Sequence, residues 1–413
     1  MKKAIITLLC LLLSACGTFA VKVEILPQVT ETAQSPASTA TAEPTVVVQT
    51  PTATMTTAPS PASTELSAEP ITLTAIQMSD SLNGWGVEAG GRIIKTSDGG
   101  GLWRDVTPFQ GNFGDRSLFA FNNETVWAVP SRLDMNNIIW RTQDGGRTWE
   151  GSQPVSLGTG KYSPLSLQFP DARHGWLLLL AETDDQDRDV LLFKSSDGGE
   201  NWMPIKNLYG SASQSYLPAT MTTMAFFDGQ TGWLGGWWGD QNPKEWAILK
   251  TSDGGANWET EVLQLPAQKN IQCNGHSIAE MAPGSMAVEL TCTLPNDPKY
   301  LYQRAHYLST AVEPKWHSWV LPGQLLSVYF LNARQGWMMV TSDNPQLNQV
   351  LYTRDGGSTW NKASEVAWKQ AQFEFVNDKV GWAIVGNGFA TALVRTENGG
   401  QVWIQVRPAI TRP

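Results

Sequence analysis

One turn recurs six times in the chain: KTSDGGGLW from Lys95, RTQDGGRTW from Arg141, KSSDGGENW from Lys194, KTSDGGANW from Lys250, TRDGGSTW from Thr353 and RTENGGQVW from Arg395. The paired glycines supply backbone angles with φ above zero, which a tight hairpin needs and other residues resist. The acid before them (Asp98, Asp144, Asp197, Asp253 and Asp355, with Asn398 in the last copy) can accept N–H groups of its own turn. The preceding Ser or Thr can add another bond. The Trp that follows tucks under the turn and can bury about 150–250 Å², a gross gain of about 4–6 kcal/mol before entropy is counted. One carboxylate per turn is too few hard ligands for a calcium loop. The turns therefore read as structural staples.

Their spacing sets the architecture. Successive acid positions lie 46, 53, 56, 102 and 43 residues apart, and 102 is close to twice 51. A copy without the DGG signature is thus expected between Asp253 and Asp355, where YLYQRAHYLSTAVEPKWHSW at Tyr300 to Trp319 has strand residues, a polar break and a Trp. Upstream of each box stands a second Trp motif, as in SLNGWGV at Ser81, DARHGWLLL at Asp171 and NDKVGWAIVG at Asn377, each preceded by an apolar run. One unit therefore spells strand A, a turn, strand B with its Trp, a variable loop, strand C, the DGG turn and strand D. High Gly (37) and Trp (19) counts suit short strands and tight turns. The expected fold is all-β: a seven-bladed β-propeller of four-stranded antiparallel blades over residues 71–413.

S/T-x-D-G-G-x-x-W resembles the Asp-box of BNR-repeat proteins. The longer unit, an apolar strand followed by x-G-W and then T-x-D-G-G-x-T-W, is similar to that of the Ycf48/HCF136 family of photosystem II assembly factors and their bacterial relatives. The resemblance runs from Ile71 to about Arg407. It implies a propeller that binds and chaperones membrane-protein partners, as a monomer without catalysis or cofactor. Nothing in the chain points to photosystems, and its acidic balance departs from the basic patch the resemblance implies. Asp-boxes also occur in sialidases and xyloglucan-cleaving hydrolases. The F/Y-R-I-P signature of sialidases is absent, GRIIKTSDGG at Gly91 being a repeat strand. The xyloglucan enzymes set two catalytic acids across a cleft between two propellers, whereas this chain has one. A glycosidase needs paired acids about 5–10 Å apart. A carbohydrate-binding or glycoside-hydrolysing propeller is therefore the alternative reading.

The N-terminus carries Met1-Lys2-Lys3, an apolar run from Ala4 to Leu13, and Leu13-Ser14-Ala15-Cys16-Gly17. This resembles a bacterial lipoprotein signal. It implies loss of residues 1–15, diacylglycerol on Cys16, and tethering to the outer face of the bacterial cell membrane or the periplasmic side of an envelope membrane. Residues 16–70, rich in Thr, Pro, Ala and Ser, bury too little apolar surface to offset ordering entropy and read as a disordered spacer spanning about 40 Å. The net charge of −9 argues against a nucleic-acid partner. There is no P-loop, H-E-x-x-H or C-x-x-C, and the four His lack metal spacing, so neither cofactor nor metal is expected.

The DGG turns should line one rim and the B–C loops the opposite face. The middle units insert long B–C loops, including AETDDQDRD at Ala181 and GGWWGDQNPKEW at Gly235. Function concentrates on such loops over a rigid scaffold. Trp237 and Trp238, with Asp240, Asp184, Asp185 and Asp187, form the candidate binding face for a membrane or envelope protein or a glycan. Two alternatives stay open: the Trp pair packs on a neighbouring blade, and the acidic run is merely solvated or holds calcium. Cys273 and Cys292 flank a hairpin whose turn is Ala282-Pro283-Gly284-Ser285, so they should face each other across strands. In an oxidising compartment they are expected to form a disulfide, with two buried thiols as the alternative.

Overall fold

Alternation of short apolar runs with Gly- and Asp-rich turns produces strands, and among the described residues there is no helix. The computed structural model describes residues 68–108, 111–133, 138–157, 160–182, 190–205, 221–238, 245–261, 272–280, 286–294, 297–309, 315–320, 323–332, 334–388 and 390–411. Six consecutive stretches each form a four-stranded antiparallel meander. The first comprises β6 (Leu118–Ala120), β7 (Val126–Ala128), β8 (Trp140–Thr142) and β9 (Glu150–Gly151); the second β10 (Lys161–Gln168), β11 (Gly175–Glu182), β12 (Val190–Ser195) and β13 (Met203–Pro204). The third holds β14 (Met221–Phe226), β15 (Gly232–Trp238), β16 (Glu245–Thr251) and β17 (Glu259–Glu261). The fourth holds β18 (Gln272–Glu280), β19 (Met286–Leu294), β20 (Asp297–Ser309) and β21 (Lys315–Val320). The fifth holds β22 (Leu325–Phe330), β23 (Gly336–Thr341), β24 (Asn348–Thr353) and β25 (Asn361–Val366). The sixth holds β26 (Gln370–Phe375), β27 (Gly381–Gly386), β28 (Thr391–Thr396) and β29 (Ile404–Val406).

The remaining sheet corrects the expectation of seven four-stranded blades. It has six strands, in the order β1-β30-β5-β4-β3-β2: β1 (Ala68–Pro70), β2 (Leu73–Met78), β3 (Gly84–Glu88), β4 (Ile93–Thr96), β5 (Leu102–Asp105) and β30 (Ala409–Thr411). The C-terminal β30 lies parallel to β5, and β1 runs antiparallel to β30, Glu69 facing Ile410. Residues 68–70, read from composition as linker, are therefore part of the sheet. Their backbone groups find partners on β30, which local composition does not reveal. The stretch lacking a DGG turn does form a complete sheet, β18 to β21.

In each four-stranded sheet the first strand lies innermost, and in the six-stranded sheet β2 does; these strands neighbour one another around a channel, with β26 set against both β22 and β2. The second strand is covered on both faces by adjacent sheets, so GWLLLLA, GWMMV and GWAIVG are near-continuous apolar runs and almost wholly buried. The last strand faces outward, which is why Met203 and Ile404 are exposed.

The DGG turn is the joint between neighbours. In the second blade, Gly198 N–H donates to Arg173 O of the same blade (2.8 Å), and Gly199 N–H donates to Ser195 Oγ (2.8 Å). Gly199 O accepts the indole N–H of its own Trp202 (3.0 Å), while Gly198 O accepts that of Trp127 from the preceding blade (2.8 Å). All four backbone groups of the glycine pair are thus used, at φ of 79° and 91°. The six-stranded sheet repeats the pattern: Gly99 O takes Trp382 of the sixth blade (2.9 Å) and Gly100 O takes Trp103 (2.8 Å). The acid closes the turn on itself. Asp197 Oδ1 accepts Glu200 and Asn201 N–H (3.1 and 3.0 Å) and the Ser195 hydroxyl (2.8 Å). Asn398 does the same with one oxygen, accepting Val402 N–H (2.9 Å) and the Thr396 hydroxyl (3.0 Å). Two of the Trp shared between blades also stack on an aromatic at the end of the next innermost strand, Trp127 on Phe169 at 3.7 Å and Trp337 on Phe375 at 3.5 Å.

Two outcomes follow from this joint. A Cβ at Gly199 would stand 2.8 Å from Trp127 Nε1 at positive φ, so Gly199→Ala should cost about 1–3 kcal/mol in thermal unfolding. Asp197→Asn should be milder, because Asn398 already serves in that place. Cys273 and Cys292 are direct partners in the β18–β19 register, a separation suited to a cross-strand disulfide. A non-reducing peptide map is expected to recover them linked; alkylation of both thiols would refute the bond.

Candidate functional site: the central channel and its mouth

The channel wall is built from one repeated position. Gln77, Gln168, Tyr329 and Glu374 each stand eight residues before the Trp of the following strand, and each side chain reaches sideways to the next sheet. Gln77 donates from Nε2 to Leu118 O (3.0 Å) and accepts Ala120 N–H at Oε1. Gln168 does likewise to Met224 O (2.8 Å) and from Phe226 N–H (3.0 Å). Tyr329 donates its hydroxyl to Phe375 O (2.9 Å), and Glu374 Oε1 accepts Met78 N–H (3.2 Å). These four side chains join adjacent innermost strands where backbone pairing between blades is absent.

They also line a cavity of about 410 Å³ that includes Asp115 and Gln372. Burial pushes the Glu374 carboxyl up to about 8, only partly offset by the Met78 N–H. Burial, with the Glu374 charge beside it, pushes the Tyr329 hydroxyl well above its ordinary range. On the loop side a second cavity of about 610 Å³ opens, also touching Asp115 and Gln372, with Glu88, Asn112, Ser131 and Thr391 at its rim. Burial raises the Glu88 carboxyl, but Arg92 Nε at 2.8 Å and the amides of Gly90 and Arg92 outweigh this and hold it below the usual range. Glu88 is therefore held as an anion at the mouth, while burial pushes the Glu374 carboxyl inside toward its neutral form.

The opposite rim is tied down. Lys95 Nζ lies 4.8 Å from the Trp85 ring and donates to Asn123 O of the next blade (2.6 Å). Lys194 sits 5.2 Å from Trp176 and donates to Gly229 O (3.1 Å). Arg141 and Arg395 lie over Trp127 and Trp382 at 5.4 and 5.3 Å. Lys95 and Lys194 thus tie neighbouring blades together, and Arg141 and Arg395 cover indoles of their own blades.

Trp237 and Trp238 were assigned to a polar loop, but both belong to β15, in register with Trp246 and Glu245. Aromatic residues favour extended backbone, and the strand runs on through Gly235-Gly236. Asp184, Asp185, Asp187 and Asp240 lie outside the described residues, as does Cys16. Glu182, at the start of the acidic run, ends β11, pairs with Arg132 (3.0 Å) and accepts the Ser163 hydroxyl (2.7 Å). Among the described residues no cluster of three or more His, Cys, Asp or Glu could hold a metal. The mouth beside β2, β26 and β28 lies away from the inserted loops of the middle blades, where the short turns EAGG and VGNG leave this part of the face uncovered.

No family model matches the chain. It is similar to the chloroplastic photosystem II stability/assembly factor HCF136 of Arabidopsis thaliana, 22% identical over 295 residues, covering 66% of this chain and 64% of that protein. It thus spans less than two thirds of that relative's length. Among solved structures it is similar to YCF48 from Cyanidioschyzon merolae (16% identity, 81% of this chain and 97% of that one, TM-score 0.44). It is also similar to YCF48 bound to D1 peptide (16%, 82% of each chain, 0.40) and to a GH74 xyloglucanase from Xanthomonas campestris (11%, 84% and 55%, 0.49). The chain resembles the Ycf48/HCF136 propellers, as its repeat unit implies.

Removing one channel clasp tests the wall. Gln168→Ala leaves Met224 O and Phe226 N–H without their partner in a buried site, and should lower unfolding free energy in urea by about 1–3 kcal/mol. Stability equal to wild type would show that the clasp contributes nothing.

Proposed function

We propose that this Ycf48-like propeller is a non-catalytic, membrane-anchored scaffold outside the cytoplasm, binding a protein client at its loop-side face. The observation that carries the reading is the sequence likeness to HCF136, named a stability and assembly factor. The geometry agrees with it: at the DGG rim glycine carbonyls accept indoles across blade joints, while the opposite face keeps an open polar mouth with an anion held at Glu88. An acidic mouth and an overall charge of −9 suit a client segment bearing Lys or Arg. Lipid on Cys16 and the long spacer would hold the propeller near a membrane-embedded client.

The carbohydrate-hydrolysing alternative has one observation in its favour, a neutral acid, Glu374, sharing a cavity with Asp115. Against it, the Glu374 carboxyl is engaged by the backbone of the neighbouring sheet.

Photo-crosslinking in native membranes separates these readings. Wild-type protein should crosslink a membrane protein from a probe at Gln372. Thr391→Trp, filling the mouth, should reduce that product at least fivefold without changing Tm, and Cys16→Ser should lose both lipid labelling and the product. Equal crosslinking by wild type and Thr391→Trp would exclude the mouth. Glycan cleavage lost in both Asp115→Asn and Glu374→Gln would replace the scaffold with the enzyme.

A further inference from the structure

The clasp that closes the ring differs from its counterparts in chemistry. Gln77 and Gln168 each make two bonds to the next innermost strand: the amide oxygen accepts an N–H (Ala120, Phe226), and the amide nitrogen donates to the carbonyl two residues earlier (Leu118, Met224). At the seam between β26 and β2 the same position is Glu374. Its Oε1 accepts Met78 N–H at 3.2 Å, and the carbonyl two residues earlier belongs to Ile76. A carboxylate has no proton to offer such a carbonyl; a carboxylic acid, like the amide of glutamine, has both a donor and an acceptor.

We propose that Glu374 acts as a protonated stand-in for glutamine, making the seam between the sixth blade and the six-stranded sheet a pH-sensitive clasp, tight in acid and loosened in alkali. The surroundings favour the neutral form. From β22, Tyr329 faces Glu374 with its hydroxyl committed to Phe375 O, and its own ionisation is held well above the ordinary range. Asp115, on the connection before β6, lines the same cavity and adds negative charge when ionised. Strands β2 and β27 carry no titratable side chain, and Arg395 of β28 is engaged over Trp382 and by Glu397 (3.2 Å). No cation is offered to a carboxylate here.

The direction of the effect follows from linkage. The folded carboxyl titrates at about 8 against an ordinary 4.5. Its contribution is complete below the lower value and is lost as pH rises through the higher one. Each pH unit within that window lowers the folding equilibrium constant by up to about tenfold.

The test is thermal and urea unfolding of the full chain from pH 4.5 to 9, for wild type, Glu374→Gln and Gln168→Glu. Wild-type stability should fall relative to Glu374→Gln as pH rises, the gap opening between about pH 5 and 8. Gln168→Glu should acquire a second pH-dependent loss at a different seam. A difference between wild type and Glu374→Gln that stays constant with pH overturns the proposal. Should Glu374→Gln fail to fold, hydrogen exchange on the wild type decides. Selective loss of protection in β2 and β26 at pH 8.5, relative to pH 5.5 and corrected for intrinsic rates, supports the clasp. Uniform protection overturns it. None of these readouts depends on the client, so the proposal stands or falls apart from the scaffold reading.

Discussion

Neighbouring blades are held together by glycine pairs whose backbone they share. In the turns at Gly99-Gly100 and Gly198-Gly199, one carbonyl accepts an indole from the same sheet and the other accepts an indole from the sheet before it. Only residues at positive φ with no side chain can present both carbonyls to two indoles at once. The turn therefore shapes a hairpin and also fixes the angle between neighbouring blades, because the incoming Trp must reach its carbonyl while stacking on the next Phe. A blade in isolation would leave the Gly carbonyl and an exposed Trp face unsatisfied. This is the physical sense in which the repeats stabilise one another rather than themselves.

That joint also divides the molecule by role. At the rim of the turns, Lys95 and Lys194 lie against Trp rings and donate to carbonyls of the next blade, so these side chains hold neighbouring blades together. On the other face the connections lack this repeated joint, and a cavity opens there at the six-stranded sheet and its neighbours.

The ring is closed twice, by different chemistry. At the outer edge β30 returns to lie beside β5 and is itself covered by β1, so the edge that would otherwise be exposed is shielded by the two ends of the described chain. At the inner edge the seam rests on a carboxyl where comparable seams rest on amides. The outer closure is backbone pairing and indifferent to pH; the inner one depends on where a proton resides.

Much of this was legible in the order of residues. The DGG-x-x-W boxes specify turns because φ and burial are local matters, and even the copy without its box was visible in the doubled spacing before Asp355. The channel clasps were legible in principle too, since Gln77, Gln168, Tyr329 and Glu374 hold one fixed distance to the next Trp, but their partners are carbonyls and amides of another sheet, which no spacing names. Local sequence likewise misplaced Trp237-Trp238 in a loop and residues 68–70 in a linker, because strand membership there is decided by pairing with β16 and β30. The sequence by itself determined the repeating unit, since turns and buried Trp faces are set within a few residues. Tertiary structure alone decided which carbonyl meets which Trp, how the ring closes and that Glu374 meets Met78 at its seam, because each of these depends on groups brought together from distant parts of the chain.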